Sequence, residues 1–365
     1  MLLVEVQIGG IGIMVIIGTL LMLFRGKISI NQQSLLTQDT NQKNRSSIKK
    51  LTVFIITYAF IIETIGAIYF YIHMKVNHTE GEDALMTAIF HAISSFTNAG
   101  FEIFENGMVF YQNQGVFLLI TSLLIILGAI GFPSVMELVM KRKNKISLYT
   151  KINILMHGIL LTVGTVLIGL LEWKDGFVEM DIWEKVTNAI FFSATTRSGG
   201  FETISVMGMT QTTLFLMVIL MFIGGSASSS SGGIRVTTFF IILVNAFKRL
   251  TGKTEIVVFK KTLYEEDIQK AQTIFTSFIF IFIVSTLIIS SIENQGILPI
   301  VFEVMSAMTT TGLSLGVTDE LTAFSKVFLC ILMVVGRIGI IALIYAITDN
   351  KKTRIRYKKE HVIVG

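Results

Sequence analysis

Residues 223–235 read IGGSASSSSGGIR, and they interrupt an apolar run. Residues 214–223 before them and 236–247 after them are long enough together to cross a bilayer. The middle, however, is an unbroken stretch of Gly, Ser and Ala. Such residues hold a helix poorly, and glycine loses the most backbone freedom on ordering. In hydrocarbon an unpaired N–H or C=O costs several kcal/mol, so irregular backbone survives only where protein buries it or a wet cavity borders it. A helix broken at membrane depth therefore points to a permeation pathway. A soluble Gly/Ser linker is the alternative, but linkers are not flanked on both sides by apolar runs of this length.

Composition agrees with a membrane setting. The 365 residues are 52% hydrophobic and 15% charged, against about 25% charged in soluble domains. One cysteine, Cys330, lies in an apolar run, so neither a disulfide framework nor a Cys/His metal spacing is available. The predicted fold is all-α and integral to the membrane.

Spans of about 20 apolar residues cross a bilayer, whereas 10 to 14 suit a re-entrant segment. Seven spans are predicted at 6–24, 51–73, 116–140, 152–171, 214–247 (broken), 272–291 and 325–347. Three re-entrant helices are predicted at 84–96, 183–195 and 298–309. The loops at 25–50, 141–151, 248–270 and 349–361 hold 23 of the 30 Lys and Arg. By the positive-inside rule they face the cytoplasm, which places the N-terminus outside and the C-terminus inside. The net charge of +5 is thus a topology signal, and nucleic acid is set aside as a partner. The opposite loops carry acids, including Glu80, Glu82, Asp83, Glu102, Glu105, Asp175 and Asp181, which would concentrate cations outside.

The order span, short helix, Gly turn, span recurs three times. The turns read TNAGF, RSGGF and TTTGL, with Gly100, Gly200 and Gly312. Some 24 to 28 residues later comes a Gly motif: Gly128–Gly131, Gly224–Gly225 and Gly336–Gly339. Gly9–Gly12 is a fourth copy without a preceding turn. The segments are therefore 1–50 (the second span of an incomplete first repeat, plus a loop), 51–150 (turn at 98–101), 151–270 (turn at 198–201), 271–348 (turn at 310–313) and a cytoplasmic tail, 349–365. Short helices entering from outside would aim their partly negative C-terminal ends at the centre. Turns around one axis would present rings of backbone carbonyls, which replace the hydration shell of potassium. Thr97, Asn98, Ser198, Thr310 and Thr311 would either add side-chain oxygens or brace the turns.

At this point the residues resemble a family. QIGGIGIM, NAGF, TTRSGGF, the Gly/Ser break, VVGRIGI and the closing TRIRYKKEHVIVG are similar to the Ktr/Trk/HKT superfamily of potassium transport proteins, in particular the Ktr membrane subunit (KtrB type). The resemblance spans the chain. It implies a pseudo-fourfold set of span–pore helix–span repeats around a central ion pore. It also implies a potassium filter at Asn98, Ala99, Gly100, Ser198, Gly199, Gly200, Thr310, Thr311 and Gly312. The implied gate is the loop Gly224, Gly225, Ser226, Ala227, Ser228, Ser229, Ser230, Ser231, Gly232 and Gly233, contacted by Arg337. It further implies sodium-dependent potassium uptake at the plasma membrane, a homodimer, and a cytoplasmic ring of nucleotide-binding regulatory subunits (KtrA type). No cofactor is implied in this chain. The sequence has no counterpart of the family's first span, pore helix and filter glycine, so a fragment of a longer protein is the expectation.

Other residues give alternatives. Arg337 lies mid-span, where a lone charge is expensive; it reads as functional or as a structural pair with Glu63. Arg197 and Arg235, near turn and loop ends, would reach water or carbonyls. Glu137 precedes Lys141 by four residues, the spacing of a helix-surface pair. His91 and His157 read as packed polar residues. A sodium-conducting or sodium–potassium symporting relative is the near alternative. The distant one is an intramembrane serine hydrolase using Ser226–Ser231 with His91 or His157, which would need a Ser–His pair within hydrogen-bond reach.

Overall fold

The computed structural model describes residues 1–11, 45–77, 83–105, 107–140, 146–252 and 255–339. Their elements are α1 (Leu2–Ile11), α2 (Arg45–Asn77), α3 (Ala84–Phe96), α4 (Gly115–Ala129), α5 (Phe132–Val139), α6 (Leu148–Glu172), α7 (Ile182–Thr195), α8 (Gln211–Phe222), α9 (Val236–Leu250), a hairpin of β1 (Val257–Val258) and β2 (Lys261–Thr262), α10 (Glu265–Ile292), α11 (Ile297–Thr309) and α12 (Ala323–Ile338). The hairpin is antiparallel, with Val257 opposite Thr262.

Helix starts follow local chemistry. Ser147, Thr210 and Thr322 each accept from the backbone N–H three residues on, opening α6, α8 and α12. Within α2, α6 and α10 are segments long and apolar enough to cross a membrane: Lys50–Asn77, Leu148–Glu172 and Glu265–Ile292. Between a third and a fifth of each apolar window is buried, so most of that surface faces outward, as a lipid-facing helix requires. The three short helices α3, α7 and α11 are the reverse. Every residue from Phe302 to Thr309 of α11 is buried, and so is the face of α3 that carries His91, Ser94, Ser95 and Phe96.

The predicted spans meet different fates. Residues 51–73, 152–171 and 272–291 fall in single long helices. The third, 116–140, is bent: α4 and α5 are together apolar enough for one span but meet at 98°. The physical reason is GAIGFP, since Pro133 opens a new helix and cannot continue the old ladder. The fifth is α8 and α9 either side of the Gly/Ser loop. The first and seventh run beyond the described residues, as does the tail 349–365. An aromatic cluster packs beside the first turn: the rings of Phe70, His91, Phe104, Tyr111 and Phe117 meet with centroids 4.2–6.2 Å apart.

Candidate functional site

The three turns share one backbone pattern. The residue two before each glycine is left-handed, at Asn98 (φ 52°), Ser198 (75°) and Thr310 (50°), and so is each glycine, at Gly100 (72°), Gly200 (77°) and Gly312 (92°). The turn N–H groups point back into the short helices. Ala99 N donates to Ser94 O at 2.9 Å, Gly199 N to Thr195 O at 2.7 Å, and Thr311 N to Ser306 O at 2.9 Å. In a trans peptide the carbonyl lies opposite the N–H. The carbonyls of Asn98, Ser198 and Thr310 are therefore turned away from the helices that hold them. Hydroxyls lock this arrangement: Ser94 donates to Phe101 O (2.7 Å), Thr195 to Phe201 O (2.9 Å), and Ser306 accepts from Gly312 N (3.1 Å).

The turns converge. A Cβ on Gly100 would fall 2.9 Å from Gly199 O and from Gly200 Cα, and one on Gly200 would fall 2.3 Å from Thr311 O. Only glycine permits both this approach and the positive φ. The structure thus brings all nine predicted turn residues together. Four of the five side chains weighed above have hydrogen-bond partners, while Thr310 Oγ1 is buried without one. Thr97 braces its own helix through Ile93 O (2.7 Å), Asn98 and Ser198 reach the Gly/Ser loop, and Thr311 meets Thr309 at 2.7 Å.

That loop lies against the turns and is zipped at its neck. Gly224 N donates to Ile234 O (2.9 Å) and Val236 N to Gly225 O (3.1 Å). Its backbone groups are met by the break between α4 and α5. Ser226 N donates to Ala129 O (3.0 Å), Ser230 N to Gly128 O (3.2 Å), and Phe132 N to Ser228 O (3.0 Å). Two broken helices therefore satisfy each other's orphaned groups, as burial in hydrocarbon demands. Tyr149 adds a bond from its hydroxyl to Ala227 O at 2.7 Å. Asn98 Nδ2 donates to Ser230 Oγ at 2.6 Å and Ser198 Oγ accepts from Gly232 N at 3.1 Å. A Cβ on Gly232 would meet Thr309 O at 2.5 Å.

Arg337 donates to Ser230 O and to the carbonyls of Gly9 and Gly10 in α1. Its pairing with Glu63 is corrected: Glu63 instead accepts from Gln7 Nε2 through both oxygens, at 3.0 and 2.9 Å. Arg235 binds Ser226 O and Ser231 O. Arg197, 2% exposed, donates to His157 O at 3.3 Å. Glu137 takes Ser147 N, Ser147 Oγ and Thr150 Oγ1 at 2.5–2.6 Å, capping α6; Lys141, its expected partner, lies outside the described residues. The ring of His91 meets Thr121, and that of His157 meets Asn153 O.

Sequence reasoning missed Glu303. Buried in α11, it accepts from Leu315 N (2.9 Å), Ser314 Oγ (2.5 Å) and Thr318 Oγ1 (2.8 Å), so it anchors the third turn from behind. An acid inside the apolar ILPIVFEVM was the available signal. Glu172 plays a similar part, joining Gly176 N to Thr210 at the start of α8.

Residues 2–352 match the family model for TrkH, cation transport protein. The chain belongs to this family. Within it the chain is of the Ktr membrane-subunit type, a transport protein rather than an enzyme. It is 36% identical to Ktr system potassium uptake protein D of Bacillus subtilis, over 98% of this chain and 81% of that protein. To Ktr system potassium uptake protein B of the same organism it is 30% identical, over 99% and 81%. To the potassium/sodium uptake protein NtpJ of Enterococcus hirae it is 29% identical, over 99% and 82%. The crystal structure of the potassium transporter TrkH from Vibrio parahaemolyticus has the same fold, with TM-score 0.72 at 18% identity, over 94% of this chain and 70% of that one.

Proposed function

We propose that this TrkH-family chain moves potassium into the cell through a pore lined by the carbonyls of the turns at 98–100, 198–200 and 310–312. The observation that carries the reading is the convergence of Gly100, Gly200 and Thr311 O within van der Waals reach, with each turn's N–H groups bound to its own short helix. Carbonyl oxygens left facing a common centre replace water around a potassium ion without fixed charge. The short helices aim partly negative ends at that centre, and the membrane potential contributes about 2.3 kcal/mol per charge per 100 mV toward entry. The fold is then a pseudo-fourfold ring whose repeats are the predicted segments. The Gly224–Gly233 loop is its gate, held shut by Arg337 and Arg235.

The names of the relatives supply the biological setting. A Ktr system implies a cytoplasmic regulatory subunit acting on the basic loops, and a homodimer in the plasma membrane with the C-terminus inside fits the charge pattern. NtpJ, named for potassium and sodium, keeps sodium coupling as the second reading. The test is rubidium uptake in a host lacking its own potassium uptake, with the regulatory subunit co-expressed. Expression is expected to restore uptake, and Gly200→Ser to lower the rubidium-over-sodium ratio, because a Cβ there meets Thr311 O. Wild-type discrimination in Gly200→Ser at normal membrane levels would remove the filter reading.

A further inference from the structure

Asn98 carries an asymmetry that a simple plug beneath a filter does not require. It is 4% exposed, and its Nδ2 meets Ser230 Oγ at 2.6 Å and Ser231 Oγ at 3.5 Å. A serine hydroxyl has one hydrogen to give. Ser230 directs its own to backbone carbonyls, Gly128 O at 2.8 Å and Phe96 O at 3.3 Å. Toward Asn98 it therefore accepts, and only the NH2 end of the amide can face it. The opposite end, Oδ1, is buried with no hydrogen-bond partner. Thr310 Oγ1, at the equivalent place in the third turn, is also a buried oxygen without a partner. In the second turn Ser198 Oγ donates to Thr309 O and accepts from Gly232 N, both at 3.1 Å, tying loop and third turn together.

Resting on the filter-and-gate reading above, we propose that Ser230 of the loop orients the Asn98 amide, making Ser230 a positioning residue and Asn98 Oδ1 a cation ligand whose availability follows the loop's place. With the loop seated, Oδ1 is kept for the cation and the donor end is turned away. With the loop displaced, Ser230 leaves, the amide rotates freely, and its NH2 competes for the same place. The base of the filter then loses an oxygen each time the gate opens. An ion is held firmly when the path is closed and released when it is open, which conduction favours.

The test compares rubidium half-saturation, maximal uptake and rubidium-over-sodium discrimination, each normalised to membrane protein level. The variants are Asn98→Ala, Ser230→Ala, their double variant, and deletion of residues 226–231. Loss of one hydrogen-bonding oxygen is worth about threefold to tenfold in half-saturation. Both single variants are expected to show that rise together with reduced discrimination. The double variant is expected to show no more than either single one, the non-additivity of one shared unit. Additive shifts, or unchanged discrimination in Ser230→Ala, overturn the proposal. Should Asn98→Ala fail to reach the membrane, Ser230→Ala decides alone, since it leaves the turn's own residues intact. The deletion separates the two readings. A higher maximal rate with wild-type discrimination keeps the gate and refutes the coupling. An unchanged maximal rate refutes the gate, while non-additive shifts at 98 and 230 still uphold the oriented amide.

Discussion

Single glycines explain why the repeats look alike. In α4 a Cβ on Gly128 would lie 1.8 Å from Phe96 O, and in α12 a Cβ on Gly336 would lie 1.9 Å from Met308 O. Phe96 and Met308 each stand four residues before a turn glycine, so the helix following each turn presses directly on the end of the short helix before it. That is the small-residue packing of membrane helices, which gains contact where no side chain intervenes. Gly128→Ala must displace backbone rather than a flexible tip, and should cost at the upper end of the roughly 1–3 kcal/mol typical of overpacking. Gly158, in α6, has nothing within 4 Å of a built Cβ. There alanine should stabilise the helix by up to about 1 kcal/mol. Thermal unfolding in detergent is expected to place Gly128→Ala below and Gly158→Ala at or above the parent protein. Equal midpoints for the two would show that the close approach is not needed.

Among elements, the loop and the α4–α5 break behave as one unit. The loop was legible because its composition contradicts its flanks: Ser226–Ser231 cannot sit as ordinary helix between Met221 and Val236. The turns were legible because TNAGF, RSGGF and TTTGL repeat in order. The 98° bend was not, although Pro133 was in plain view, because a proline in the first turn of a helix is compatible with either a kink or a fresh start. What decides between them is the supply of partners for Gly128 O, Ala129 O and Phe132 N, and these come from Ser226, Ser228 and Ser230, about a hundred residues away. Glu303 escaped for a related reason, since its partners become neighbours only once the third turn folds back. Among the loop's contacts, Tyr149 approaches from the start of α6, within the basic segment 141–151. Its bond to Ala227 O is worth roughly 0.5–1.5 kcal/mol. Removing it in Tyr149→Phe should raise the open fraction, and with it maximal rubidium uptake, by about twofold to tenfold. Uptake at the parent rate would show that α6 does not hold the loop.

At the scale of the molecule, the orientation proposed from the basic loops sorts charge across the membrane, and that sorting predicts an asymmetric response to acid. Glu102 and Glu202 occupy matching places, each two residues after a turn glycine, on the side that the proposed orientation puts outside. Glu102 accepts from Met108 N and Glu202 from Val206 N. Burial raises the pKa of Glu102, and the nearby Glu202 charge adds to the rise against the Met108 bond. Burial likewise raises Glu202 against the Val206 bond. Each carboxyl therefore takes up a proton at a higher pH than a free one, and each is neutral below that raised midpoint. Two carboxylates about 10 Å from a cation in water contribute roughly 0.4 kcal/mol each, together about fourfold in local concentration. As external pH falls through the raised midpoints, rubidium uptake below saturation should drop by about that factor while the saturated rate holds. Acidifying only the inner compartment should leave it unchanged, because the proposed orientation turns these groups outward. The paired variant Glu102→Gln with Glu202→Gln should start at the lowered level and lose the external pH dependence. High ionic strength should shrink the effect in the parent, since charges beyond about 10 Å are screened at 0.1 M salt. An equal response to acid from the inside would reverse the orientation read from the 23 basic residues of the four inner loops.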